Sequence, residues 1–196
     1  MRFTDRSRRL AGRAFGRAPR DDEPESAGSR GVRFPVTGRR LELRPFSLDD
    51  VPAIHRVYSD PEVMRWVGHG AVGSQAATES ILRQYMAHQR LHGFAFWAVT
   101  DRETGEVVGD AGLARTVDGE IEMGYTLARD RWGVGLGTET AALCLKAGRS
   151  IGVERLRALV EEPNVASRHV LEKLGFEQDG VTLAFGRPHL VYRLTL

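Results

Sequence analysis

The chain has 196 residues, 41% of them apolar and 28% charged, the profile of a single soluble globular domain with a tail. No apolar run approaches the roughly 18 residues that a membrane span needs; the single cysteine, Cys144, excludes a disulfide framework and a cysteine-based zinc site, and His55, His69, His88, His92, His169 and His189 show no ligand spacing, so no metal is expected. The net charge of +2 is uneven: residues 1–40 carry 11 Arg against 5 acids, residues 41–196 carry 17 Lys+Arg against 21 acids, and a body of net charge −4 disfavours a nucleic-acid partner.

Residues 1–38, rich in Arg, Gly, Ser, Pro and Asp, predict an unfolded or weakly ordered extension, because too little apolar surface is available to offset the entropy of ordering. The domain is expected over 39–196. Leu41-Glu42-Leu43-Arg44 alternates as a strand. Ser47 is placed to cap a helix over Leu48–Ser59, and Ser74 one reaching about Gln89. Phe94–Thr100 and Glu106–Thr116 read as strands joined around Thr104-Gly105, with a third over Ile121–Leu127 after the Asp118-Gly119 turn. Leu136–Ser150 carries one apolar stripe and stops near Gly152. Arg155–Glu161 reads as a strand and Asn164–Leu174 as a helix. Phe176–Phe185 and Leu190–Leu196 form a hairpin around Gly186-Arg187-Pro188. The order β-α-α-β-β-β-α-β-α-β-β describes a mixed α/β (α+β) fold with one late βαβ unit.

The chemistry concentrates at Arg131-Trp-Gly-Val-Gly-Leu-Gly-Thr-Glu139, which follows a strand and opens a helix. Alternate glycines let the main chain turn tightly and turn its N–H groups toward a ligand. The first N–H groups of a helix lack internal partners, and the helix dipole adds positive charge there, which suits a diphosphate. A P-loop is excluded because no Gly-Lys-Ser/Thr follows. A dinucleotide fingerprint would want glycine at Thr138; Glu154 lies suitably downstream, but one further β-α unit is too few for a doubly wound domain. Glycines serving packing alone remain the plain structural alternative.

Two further segments extend the pattern: Glu120-Ile-Glu-Met-Gly-Tyr-Thr-Leu127 just before the loop, and Asn164-Val-Ala-Ser-Arg-His-Val-Leu-Glu-Lys-Leu-Gly-Phe176 after it. Together with Pro61-Glu-Val-Met64 and Phe96-Trp-Ala-Val99, they resemble the GNAT superfamily of acetyl-CoA-dependent N-acetyltransferases, in particular the branch containing ribosomal-protein N-terminal acetyltransferases. The resemblance implies a central, mostly antiparallel sheet of about seven strands, splayed at the cofactor site, with four helices. It implies that Trp132, Gly133, Val134, Gly135, Leu136, Gly137 and Thr138 hold the coenzyme A diphosphate. Pantetheine would lie between the strands ending at Leu127 and starting at Arg155, with the Leu127 N–H facing the thioester oxygen. Asn164 and Ser167 would contact pantetheine and sulfur.

Glu122, two residues before Gly124, is the candidate base, with Glu120 as the alternative; Ser167 is the candidate acid. Leu171 stands where many relatives carry an acidic tyrosine. The resemblance also implies that Trp66 and His69, in the loop between the first two helices, are candidates to touch the acceptor, and that Arg187 and His189 would form its other wall. Glu122 as an ordinary strand-surface carboxylate, Asn164 as a simple helix cap, Cys144 as a core thiol, His169 on a helix surface, and Trp66, Trp97 and Tyr125 in the core are the plain readings.

The implied reaction is direct acetyl transfer in a ternary complex to a primary amine, either a protein N-terminus or a small amine. Acetyl-CoA is the co-substrate; neither a metal nor a membrane is expected, and a homodimer is compatible with the pattern. A cytoplasmic setting is expected from the cysteine usage. Two rivals are a non-catalytic acyl-CoA-binding module on the same fold and a nucleotide-binding α/β protein.

Overall fold

The computed structural model describes residues 31–196. The strands are Val36–Thr37 (β1), Leu41–Arg44 (β2), Phe96–Asp101 (β3), Val107–Arg115 (β4), Ile121–Leu127 (β5), Arg155–Val160 (β6), Glu177–Ala184 (β7) and Arg187–Thr195 (β8). The α-helices are Val51–Tyr58 (α1), Pro61–Met64 (α2), Gln75–His92 (α3), Leu136–Ser150 (α4) and Val165–Lys173 (α5). They build one eight-stranded sheet of order β1-β2-β3-β4-β5-β6-β8-β7, in which the β5–β6 pair alone is parallel.

Two elements exceed the expected seven strands and four helices. β1 spans two residues, too few to show alternation. The single turn α2 is started by Asp60, whose carboxylate accepts the Glu62 N–H at 2.8 Å, followed by Pro61 in the first position. The body also begins earlier than Arg39. Val32 and Val36 are buried, the Val32 N–H donates to Gly93 O at 2.9 Å, and Phe34 meets the edge of Trp97 at 5.4 Å between ring centroids. Residues 32–37 therefore belong to the packed body rather than to the extension expected through residue 38; the expectation for residues 1–30 lies outside the described residues.

The sheet separates two apolar layers. Leu41, Leu43, Trp97, Leu113, Met123, Leu127, Leu156 and Tyr192 pack with α4 and α5. Phe46, Phe96, Ala98 and Ala114 pack with α1 and α3. Strand side chains alternate between faces. In β5, Met123, Tyr125 and Leu127 therefore face α4 and α5. Glu122, paired across the strands with Ala114, faces the α1 and α3 side. Cys144, His169 and Trp97 take their plain places: the first and last are buried, and His169 is exposed.

β5 is fully laddered to β4, from Gly109–Leu127 to Arg115–Ile121, and β6 to β8, from Arg155–Thr195 to Val160–Leu190. Between β5 and β6 the one register pair is Glu122–Arg157. Beyond it the two strands part. The Ala128 N–H donates to Val108 O across the β4 side at 2.8 Å, so by the alternation of the antiparallel ladder the main-chain groups of Met123, Tyr125 and Leu127 turn toward the opening. A single sheet of this order, with one parallel pair, is not a doubly wound nucleotide domain, and that rival falls.

Candidate active site

The glycine turn sits at the mouth of this opening. Gly133 and Gly135 have φ of 76° and 82°, a region that disfavours side chains. Gly135 is the N-cap of α4 and has no side chain with which to cap it, so the leading N–H groups of α4 look outward. At Gly137 an added Cβ would lie 3.5 Å from Tyr125 Cε2 and 3.7 Å from Val170 Cγ2, ordinary contacts. No steric clash with the protein therefore demands glycine at 137; its bareness keeps the helix tip open. A cavity of about 490 Å³ lies against this tip, lined among others by Leu127, Trp132, Gly133, Gly135, Thr138 and Asn164. An uncapped helix end beside a long open slot between strands fits a diphosphate-bearing, amide-rich thioester. The Leu136 side chain is buried and Val134 points outward, 61% exposed, so neither side chain lines the cavity.

The turn is braced from both sides. The Trp132 indole N–H donates to Leu127 O at 2.9 Å, which occupies one of the main-chain groups at the mouth of the opening. Arg40 donates to Val134 O at 2.9 Å, and its Nε to Glu139 Oε2 at 3.0 Å. Glu139 Oε1 also accepts the main-chain N–H groups of Arg40 and Leu41, at 2.6 and 3.1 Å. Burial alone would raise the Glu139 carboxyl; the Arg40 N–H, the Arg40 guanidinium and the Leu41 N–H together hold it below the usual carboxylate range. A guanidinium thus stands behind the glycine loop.

On the other side of the slot stands the start of α5. Asn164 caps it, Oδ1 accepting the Ser167 N–H at 3.2 Å, so its plain role is realised while it also lines the cavity. Ser167 Oγ accepts from the Tyr125 hydroxyl at 3.4 Å. Tyr125, expected in the core, is half-buried and lines the slot. Leu171 is 2% exposed and brings no polar group to the site.

A smaller cavity of about 100 Å³ continues the slot, lined by Trp66, Glu122, Gly124, Tyr125, Ser167, Phe185 and His189, among others. Glu122 is 14% exposed, and its Oε2 accepts from Arg157 Nε at 3.2 Å. Glu120 lies outside this cavity, on the rim of a separate hollow at the start of β5 and β6. It is held by Arg193 and Arg157, whose hydrogen bonds and charges keep its carboxyl below the usual range. Placement thus sets Glu122, not Glu120, beside the slot.

The walls of the smaller cavity are tied together. Arg187 donates to the carbonyls of Arg65 at 2.8 Å and Gly68 at 2.9 Å, and lies 2.7 Å from Glu161 Oε1. His189 is 4% exposed, with Nδ1 bound to Arg187 O at 2.9 Å. Trp66 lines both cavities. His69 lines neither; its ring stands edge-on to Phe185 at 5.4 Å, so it acts on the cavity wall through that residue.

The family model of the GNAT acetyltransferase domain matches residues 40–177. The chain belongs to the GNAT acetyltransferase family. The acetyltransferase is 30% identical over 153 residues to the N-acetyltransferase YoaA of Bacillus subtilis (strain 168), covering 76% of this chain and 86% of that one. Its fold is shared with a GNAT-family acetyltransferase of Bacillus anthracis, at 20% identity and a TM-score of 0.72, covering 83% and 98% of the two chains. It is also shared with a ribosomal-protein-serine acetyltransferase-like protein of Vibrio cholerae, at 18% identity and a TM-score of 0.68, covering 85% and 99%.

The acetyltransferase therefore gathers Leu127, Trp132, the glycine turn, Asn164, Ser167, Glu122 and Trp66 around one continuous slot. Arg40, Tyr125 and Arg157 are the site residues that sequence reasoning missed. Tyr125 carried a signal, since it follows the same Glu-x-Gly that marked Glu122. Among the described residues no three His, Cys, Asp or Glu side chains group as a metal site, and no helix is long and apolar enough to cross a membrane.

Proposed function

We propose that this acetyltransferase moves the acetyl group of acetyl-CoA to a primary amine, a protein N-terminus or a small amine, by direct attack in a ternary complex. The observation that carries this reading is the β5–β6 slot, laddered at one register pair and opening onto the uncapped tip of α4. The N–H groups from Gly133 to Thr138 hold the diphosphate, and the freed main chain of β5 holds the pantetheine amides. Acetyl-CoA supplies the activated acyl group.

An ammonium has no lone pair, so the acceptor must first lose a proton. Glu122 takes it, directly or through a bridging water. The amine nitrogen then bonds to the thioester carbon, the Leu127 N–H faces the oxygen on which negative charge grows, and the carbon–sulfur bond breaks. The leaving thiolate takes a proton from the Ser167 hydroxyl, which the Tyr125 phenol can reprotonate across their 3.4 Å contact. The buried thiol Cys144 is consistent with a reducing, cytoplasmic setting and takes no part in the transfer.

The test is acetyl-CoA consumption across N-terminal peptides, polyamines and amino acids. Glu122→Gln is expected to lower turnover by about 100-fold or more while leaving coenzyme A affinity unchanged. Unaltered turnover would remove Glu122 from its role as base.

A further inference from the structure

Arg157 has no place in the transfer as derived so far, yet it occupies the vertex of the slot. Its main chain makes the one register pair between β5 and β6, and that pair is with Glu122. Its side chain returns to the same residue, Nε donating to Glu122 Oε2 at 3.2 Å. On the far side, Nη1 donates to Asp118 Oδ2 at 3.0 Å and to Glu120. A guanidinium is a rigid planar fork. Two carboxylates on Nη1 fix the plane of the fork, and Nε is left aimed at Glu122. Both partners are largely withdrawn from water, Arg157 at 18% and Glu122 at 14% exposure, so the attraction is less screened than at a surface.

We propose that Arg157 is a positioning residue for acetyl transfer: it holds the Glu122 carboxylate, oriented and charged, at the vertex of the splayed strands, where the acceptor ammonium arrives. This rests on the acetyl-transfer reading above. The arrangement gives one residue two linked tasks. It closes the lower end of the slot through the main chain and fixes the acid–base group through the side chain, so the width of the slot and the placement of the carboxylate cannot vary separately.

Around Glu122, Asp118 and Glu120 lie beyond the Arg157 guanidinium, Arg193 of β8 binds Glu120 from further out, and Tyr125 and His189 line the same smaller cavity. Arg157 pairs with Glu122 itself. Burial works against the charge on Arg157, but Glu122, Glu120 and Asp118 together keep its guanidinium above its ordinary value, so it stays charged throughout the working range of pH.

The experiment compares the full-length protein with Arg157→Gln and Arg157→Lys. Three quantities are read: the acid limb of kcat/KM for the acceptor, the dissociation constant for acetyl-CoA, and the carbon-13 NMR titration of the Glu122 carboxyl. Arg157→Gln is expected to move both the acid limb and the Glu122 titration to higher pH by about one unit. Arg157→Lys, which keeps a point charge without the fork, moves them less, and acetyl-CoA affinity is unchanged in both. A folded Arg157→Gln or Arg157→Lys with limb and titration unmoved overturns the proposal. If Arg157→Gln does not fold, Arg157→Lys alone decides it by the same readout. The NMR titration needs no acceptor, so a wild-type protein that acetylates no amine would defeat the acetyl-transfer reading while the hold of Arg157 on Glu122 is still measured.

Discussion

At the scale of single residues, the proposed acid and base lie on opposite faces of the sheet. Glu122 faces the side of α1 and α3, while Tyr125 and Ser167 stand on the side of α4 and α5, and the slot is what joins them. Ser167→Ala is expected to lower kcat about 100-fold with little change in acetyl-CoA binding, and Tyr125→Phe less, because the hydroxyl of Ser167 remains. Steady-state kinetics on both variants checks this; a larger loss in Tyr125→Phe would make the phenol the proton donor. Glu122, Asn164 and Ser167 were legible in the sequence because each lies inside a contiguous motif. Arg157 and Arg40 were not assigned because their site contacts span 35 and 99 residues, separations at which sequence pattern carries no pairing information, whereas Tyr125 lies inside the Glu122 motif but reads first as a core aromatic.

At the scale of elements, α4 works as a binding device through what its first turn lacks and what braces it. Arg40→Ala removes the hydrogen bond to Val134 O and the ion pair with Glu139 while leaving every outward N–H in place. Acetyl-CoA affinity is expected to fall about 10-fold with kcat nearly unchanged, the effect of one or two lost hydrogen bonds on a loop that must then be ordered by the ligand. Calorimetric titration measures it.

The C-terminal end of α3 carries a different consequence. His88 Nε2 accepts the Arg115 N–H at 3.2 Å, which requires the neutral ring. Burial, then the neighbouring His92 and Arg115, push its pKa down to about 4. The unfolded chain binds that proton from about pH 6.5 downward, and the folded one only near pH 4. Stability is therefore expected to rise with pH between about 4 and 6.5 and to flatten above, with a shallower slope in His88→Gln. Urea midpoints at pH 4.5 and 7 read the difference.

Most elements were legible as periodic runs, α3, α4 and β5 above all. The final hairpin was displaced because Pro188 reads as a turn. It sits instead in β8 opposite Leu183, beyond the last β6 pair at Leu190, where β8 needs no donor on its other side. The turn falls on Phe185 and Gly186, with φ of 53° and 75°.

At the scale of the whole molecule, the sheet is continuous except where β5 and β6 part, and every residue assigned to the transfer borders that gap. The end of the slot proposed for the acceptor is closed by a fixed wall rather than an open loop, since Arg187 binds two carbonyls of the segment after α2 and lies against Glu161 at the end of β6. The hairpins and the βαβ unit were accessible from the pattern of elements, whereas the gap came from the family resemblance alone: a splay is an absence of pairing, and no residue type encodes it. The measurement that tests the account most directly is a crystal structure with coenzyme A bound. The diphosphate is expected on the N–H groups of Gly133 to Thr138, with the pantetheine arm running between β5 and β6 toward Ser167. A diphosphate seated elsewhere, with β5 and β6 holding no pantetheine, would contradict it.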